Sequence, residues 1–189
     1  MPADRMPPLE AERLSPAQRA ALDRITAGPR GALVGPFTVL LRTPELMDRV
    51  QEVGAFLRYE KQLEARLFEM TVLMVARHWD QAFEWAHHHP IALAAGLDPE
   101  VVAAVGDRRR PTGTDPAVEA VWDVVDEIHR DHGVSDATFS AAVGVLGEEC
   151  LVELLVTFGY YTTLAVVMNV ARTPPEEGAT LPVPAGERS

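Results

Sequence analysis

One cysteine, Cys150, is all the thiol chemistry this 189-residue sequence holds. A lone cysteine excludes an intrachain disulfide and any C-x-x-C redox pair, and it fits a reducing compartment. Glu148 and Glu149 precede it, and acids close to a sulfur raise a thiol's pKa rather than lower it. Cys150 therefore reads as a small core or interface residue. Positive charge is also scarce. The 17 Lys and Arg stand against 28 Asp and Glu, a formal net charge of −11 with a pI near 4.9. That balance argues against nucleic acid as a partner, because a phosphate backbone must be met by clustered basic residues. The one dense basic run, Arg108 to Arg110, is short and reads as a solvated turn. The first residues, MPADRMPPLEAERL, have no apolar h-region, so no signal peptide is expected and the protein is read as cytoplasmic. Alternation of apolar and polar residues over a strand's length is missing as well, which leaves an all-α fold class.

What is present is enough for one buried core. The 47% hydrophobic and 24% charged content is that of a globular protein, and 189 residues leave little room for a second full domain. The longest uncharged stretch, Leu154 to Ala171, approaches a membrane span in length. It contains Gly159, Tyr160, Tyr161, three threonines and Asn169, and Glu153 precedes it. A helix buried inside an oligomer accounts for that mixture better than lipid does, so no membrane is expected.

Capping signals divide the chain. Residues 1–36 read as an N-terminal arm in which Ser15 caps a short helix from Pro16 to Ile25 and the Gly28 to Pro36 stretch breaks it. Residues 37–172 read as one helical domain. A helix from Pro44 to about Tyr59 places Leu46, Val50, Val53, Phe56 and Leu57 on one face expected to be buried. A helix from about Glu60 to Ala76 follows. Asp80 is the expected N-cap of the next, which should end before Pro90, with Pro90 to Ala95 as a separate short helix closed by Gly96. Asp98-Pro99, Asp115-Pro116 and Ser135 open three more, and a long last helix runs from Glu148 or Glu149 to about Arg172. The Pro-, Glu- and Gly-rich residues 173–189 are expected to be a flexible tail.

The stretch Glu69 to Gly96 carries the candidate chemistry. Glu69 is a single carboxylate in the apolar run Leu67 to Ala76, and a desolvated carboxyl has its pKa raised toward the range useful for proton transfer. The alternative is a structural Glu tied to Arg66, Arg77 or Arg172. Gln81, Glu84 and His88 follow at helical offsets of three and four, which puts them on one face. On spacing alone Glu84 and His88 could equally be an ordinary exposed helix pair. The histidine run His87 to His89 does not make a metal site, because consecutive helical residues point in different directions. No metal and no cofactor is expected, and His87 and His89 read as surface residues.

The pattern of Glu69, eleven residues, then Q-x-x-E-W-x-x-H-x-P-x-A-x-x-x-G-L resembles the carboxymuconolactone decarboxylase superfamily, which includes the alkylhydroperoxidase D-like proteins. So does L-V-E-L-x-x-x-x-G-Y-Y from Leu151 to Tyr161, followed by Asn169. In the peroxidase branch the helix reads C-x-x-C-x-x-x-H. Laid on this sequence, the cysteine positions fall on Gln81 and Glu84 and the histidine on His88, so both redox cysteines are missing. The resemblance implies an alkylhydroperoxidase D-like helical bundle that assembles as a homotrimer or homohexamer. It also implies an acid/base site of Glu69, Glu84 and His88. In that reading Glu84 fixes the His88 tautomer, Gln81 holds a substrate oxygen, and Trp79, Trp85 and Tyr160 line the site. Tyr160 and Tyr161 are equally open to a core or interface role.

The function these readings support first is a cofactor-independent lyase or isomerase acting on a small-molecule substrate, an oxo acid, lactone or enolisable carbonyl compound. An antioxidant peroxidase is the disfavoured alternative, since it needs a thiolate. A non-catalytic oligomeric ligand-binding protein is the third.

Overall fold

The computed structural model describes residues 4–175 and 180–182. Among these the chain forms nine α-helices and no strand. They are α1 (Pro16–Ala27), α2 (Pro36–Leu40), α3 (Pro44–Tyr59), α4 (Ala65–His78), α5 (Ala82–Ala94), α6 (Pro99–Gly106), α7 (Pro116–Asp131), α8 (Asp136–Leu146) and α9 (Glu148–Ala171). The expected helix starts at Ser15, Asp98, Asp115 and Ser135 all appear. Each of these side chains accepts a backbone N–H of its own first turn, and Ser15 with Gln18 forms a reciprocal capping box.

The bundle is built around α4. Every residue from Leu67 to Arg77 is buried, and α5, α6, α7 and α9 all pack on this helix. A helix enclosed on every side can be apolar all round, which is why α4 reads as a nearly unbroken hydrophobic run. Two acids are set into the α4–α9 region. Glu153 of α9 accepts the backbone N–H groups of Gln62, at 2.9 Å, and Leu63, at 2.7 Å, and so fixes the loop that launches α4. Glu69, on α4 itself, faces α5.

Several local expectations are corrected. Asp80 does not cap α5, because its backbone lies in the left-handed region at φ 47°. It pairs instead with Arg77 and Arg108. Gln81 takes the cap, its side-chain oxygen accepting the Phe83 N–H at 2.8 Å. The two short helices expected on either side of Pro90 are one, α5, with Pro90 inside it. A proline there forfeits one backbone hydrogen bond, yet burial of His88 before it and Ala92 after it holds both halves on α4.

The buried face of α3 consists of Met47, Gly54 and Leu57, whereas Leu46, Val53 and Phe56 are exposed. Periodicity found the helix but not which of two apolar stripes the single chain uses. Gly54 is buried because Tyr160 closes over it: a Cβ there would stand 2.1 Å from the Tyr160 hydroxyl oxygen.

The segment read as an arm packs against its own chain. Ala21 and Ile25 of α1 are wholly buried, and α1 lies on α3. Gly35, at φ 54° and ψ −126°, then turns the chain into α2. That conformation is open to glycine alone, and a Cβ would also meet the Phe83 ring at 2.4 Å. Of the segment expected to be a flexible tail, 176–179 and 183–189 lie outside the described residues. Leu181 packs against the core, and Pro182 lies over Gly106.

By length and composition α9 could cross a membrane, with 33% of its apolar window buried within this chain. Leu151, Leu154, Tyr161, Leu164 and Met168 are buried, while Val152, Leu155, Val156, Val166 and Val170 are exposed.

Candidate functional site

Glu69 and His88 meet between α4 and α5. Both are nearly inaccessible, 5% and 3% exposed, and His88 Nδ1 lies 2.7 Å from Glu69 Oε2. The alternative of a Glu69 held by arginine is excluded by geometry. Arg66 pairs with Glu64 and Asp115, and Arg77 pairs with Asp80 and donates to the Gly106 carbonyl. A carboxylate can only accept, so with Glu69 ionised the imidazole carries its proton on Nδ1. Among the described residues His88 Nε2 forms no hydrogen bond and is left to the cavity beside it.

That cavity, about 30 Å³, is bounded by Glu84, His87, His88, Phe83 and Tyr161, with Arg30, Val34 and Arg58 toward the outside. It has room for one or two waters. Tyr161 stands edge-on to the His88 ring at 5.1 Å between centroids and to Phe68 at 5.8 Å, so the imidazole is clamped between its acid and an aromatic edge.

Glu84 does not orient His88; Glu69 does. The Glu84 side chain is 2% exposed, and its Oε2 is buried without a hydrogen-bond partner among the described residues. Burial alone pushes its pKa well above the usual carboxylate value, which favours the neutral acid. A protonated carboxyl is a donor, and a buried donor with nothing to donate to costs free energy unless water or a ligand completes it.

His87 is not a surface residue. It is half-buried, stacks on Phe83 at 5.8 Å and lines the cavity, with burial the main cause of a pKa lowered to about 4. His89 lies in a separate groove with Trp85 and Leu181.

The remaining expected site residues are placed elsewhere. The Gln81 amide is spent on structure: while its oxygen caps α5, its nitrogen donates to Asn169 Oδ1 at 2.8 Å, and Asn169 Nδ2 donates to the Trp79 carbonyl at 2.8 Å. This ties the α4–α5 turn to α9 and does not hold a substrate oxygen. Trp79 is 37% exposed and Trp85 is buried in the core, and neither lines the cavity. Tyr160 is half-buried outside the lining, and burial raises its hydroxyl pKa to about 12. Its neighbour Tyr161 supplies the wall.

Sequence reasoning missed Arg30 and Arg58, because they come from the loop before α2 and the last turn of α3, distant in the chain from Glu69 and His88. No local spacing marks them. Among the described residues no group of three or more His, Cys, Asp or Glu side chains could hold a metal ion. Cys150 is remote from this cavity, with burial the main cause of a raised thiol pKa and Glu153 and Glu149 adding to it.

Residues 44–127 match the carboxymuconolactone decarboxylase family. No curated protein matches the chain. Among solved structures, a protein of unknown function from Agrobacterium tumefaciens, described as a candidate antioxidant defence protein AhpD, superposes with a TM-score of 0.64. The two share 18% identity over 72% of this chain and 94% of that one. At that identity the likeness concerns the fold.

The raised Glu84 pKa has a direction in stability. A carboxyl that is harder to ionise folded than unfolded stabilises the fold fully below its unfolded pKa, and that contribution is lost as pH rises toward the folded one. Glu84→Gln removes the ionisable group. The variant should melt close to wild type at pH 4 and increasingly above it toward pH 8. A wild type that gains on the variant as pH rises would contradict a neutral, buried Glu84.

Proposed function

From the membership of this chain in the carboxymuconolactone decarboxylase and alkylhydroperoxidase D-like superfamily, in a branch without the C-x-x-C pair, we propose a cofactor-independent lyase or isomerase. It acts by proton transfer on a small oxo acid, lactone or enolisable carbonyl compound. The observation that carries this reading is the buried Glu69–His88 hydrogen bond beside a cavity shared with an unpartnered Glu84.

In an isomerisation, His88 Nε2 takes the proton from the carbon next to the carbonyl, and the electron pair of that C–H bond moves onto the carbonyl oxygen as an enolate. The charge gained by the imidazole is balanced by Glu69 across the Nδ1 bond. The Glu84 O–H donates to the enolate oxygen, and in a substrate whose enolate is conjugated with a C=C bond His88 returns the proton to the far end of that system, which re-forms the carbonyl with the double bond moved. In a decarboxylation the C–C bond supplies the electron pair, carbon dioxide leaves, and His88, starting protonated on both nitrogens, delivers the proton to carbon.

A thiol peroxidase finds no support at this site, since Gln81 and Glu84 stand where that branch has its cysteines. The non-catalytic reading has one observation in its favour: a cavity of about 30 Å³ holds water rather than a whole substrate. Exchange of substrate carbon-bound hydrogen for solvent deuterium, followed by NMR over a panel of small oxo acids and lactones, separates the two. At least one compound should exchange. Glu69→Gln and His88→Gln should each slow it by ~10²-fold or more, the usual weight of a positioned acid or base, in protein that melts lower but is still folded by circular dichroism at the assay temperature, and Cys150→Ala should leave it unaffected. Exchange by none of the panel, or full activity in both variants, would sink the enzyme reading.

The assembly is proposed to be a cytoplasmic homotrimer or homohexamer joined through the exposed apolar side of α9 and the Leu46, Val53 and Phe56 stripe of α3. Apolar surface left uncovered on that scale is unusual for a monomer. Light scattering should give three or six times the 20.7 kDa of one chain. A monomeric mass at micromolar concentration would refute it.

A further inference from the structure

Two guanidinium groups, Arg30 and Arg58, stand at the wall of the cavity that holds Glu84 and His88. They reach it from different parts of the fold: Arg30 from the loop between α1 and α2, Arg58 from the last turn of α3. Both are half-buried, and neither forms an ion pair with a carboxylate among the described residues. Arg24, Arg66, Arg77, Arg108, Arg110 and Arg130, by contrast, each have an acidic partner. Arg30 has the Tyr160 hydroxyl beside it, a neutral partner, and both arginines have an aromatic seat. The Arg30 guanidinium carbon lies 4.2 Å above the Phe37 ring and that of Arg58 6.0 Å from the Tyr59 ring, contacts that hold the planar groups without neutralising them.

The charge of the cavity follows from its lining. With Glu69 ionised and the His88 imidazole neutral, that hydrogen-bonded pair carries one negative charge. Burial favours the neutral form of both Glu84 and His87. The two arginines outweigh the Glu69 carboxylate, leaving a local net charge of about +1 on a protein whose formal net charge is −11. Positive charge without an acidic partner, half out of water on a cavity that also holds Glu84 and His88, is an incomplete arrangement until an anion joins it.

We propose that Arg30 and Arg58 form an anion subsite that takes the carboxylate of the substrate and sets its neighbouring carbon against His88. This rests on the proton-transfer reading above and narrows it, selecting small oxo acids over neutral lactones and ketones. A carboxylate accepts two parallel N–H bonds from a guanidinium fork, which gives orientation as well as affinity. About 30 Å³ admits such a head group, while Val34, 39% exposed, marks the side open to the rest of the molecule. The same chemistry could be supplied by an acidic side chain of a second copy, and the two sources separate by experiment.

The test is a binding measurement that needs no turnover. Acetate, pyruvate, malonate and succinate, each beside its neutral amide, are titrated into the full chain and followed by calorimetry and by NMR of the cavity residues. At least one acid should saturate, and its amide should bind ~10-fold or more weakly, the scale of losing a charge-assisted pair. Arg58→Gln and Arg30→Gln should each weaken the acid by a similar factor, and Arg58→Lys, which keeps the charge without the fork, should recover part of it. The oligomeric mass should be unchanged in all three. Saturation by no acid, equal binding of acid and amide, or equal affinity in the Gln variants would overturn the subsite. So would a change of oligomeric mass in those variants without a change in affinity, which would assign the arginines to a partner's carboxylate. Acid binding that persists in Glu69→Gln with no hydrogen exchange in wild type would keep the subsite and remove the proton-transfer reading instead.

Discussion

The hydrogen bond between His88 Nδ1 and Glu69 Oε2 is the contact on which the rest of this molecule depends. Two ionisable groups lie there in the driest part of the bundle, and such a pair is tolerable only while each satisfies the other, because removing one partner leaves a buried charge alone. The fold is arranged to keep them together. Glu153 pins the start of α4, the Gln81–Asn169–Trp79 chain pins the turn into α5, and Tyr161 presses its edge on the imidazole. The two buried acids near α4 differ in kind. Glu153 is satisfied by backbone N–H groups and acts as structure, whereas Glu69 spends its bond on a side chain that can change protonation state.

Much of the architecture was legible because its signals are local. Ser15, Asp98, Asp115 and Ser135 cap the helices their positions predict, and the apolar run of α4 is what a helix enclosed by neighbours looks like. The helical spacing of Glu84 and His88 puts both on one cavity, and Glu69 reaches its edge through the hydrogen bond to His88. Their roles were less legible. The offset of four between Glu84 and His88 implied that Glu84 orients the ring, but the shorter path in space runs through α4, from Glu69, and only packing decides that.

The misses have a common cause. The helical face shared with Glu84 and His88 points Gln81 toward substrate, yet it sits at the helix start, where an orphan N–H claims its side chain first. Trp79 and Trp85 are expected at the site from the family resemblance, but Trp79 ends α4 and Trp85 turns into the core, because side chains on one segment point in different directions. Arg30, Arg58 and His87 were overlooked for the converse reason. The first two are brought to the cavity by elements far apart in the chain, and the third was discounted as one of three adjacent histidines.

The central claim is that Glu69 fixes the imidazole with its proton on Nδ1 and leaves Nε2 bare toward the cavity. The most direct measurement is the ¹⁵N chemical shift of both His88 ring nitrogens in wild type and in Glu69→Gln. In wild type near neutral pH, Nδ1 should appear protonated and hydrogen-bonded with Nε2 unprotonated, and that preference should weaken in the variant. A wild-type ring protonated on Nε2 and unprotonated on Nδ1, or a tautomer indifferent to the loss of the Glu69 carboxylate, would contradict the account.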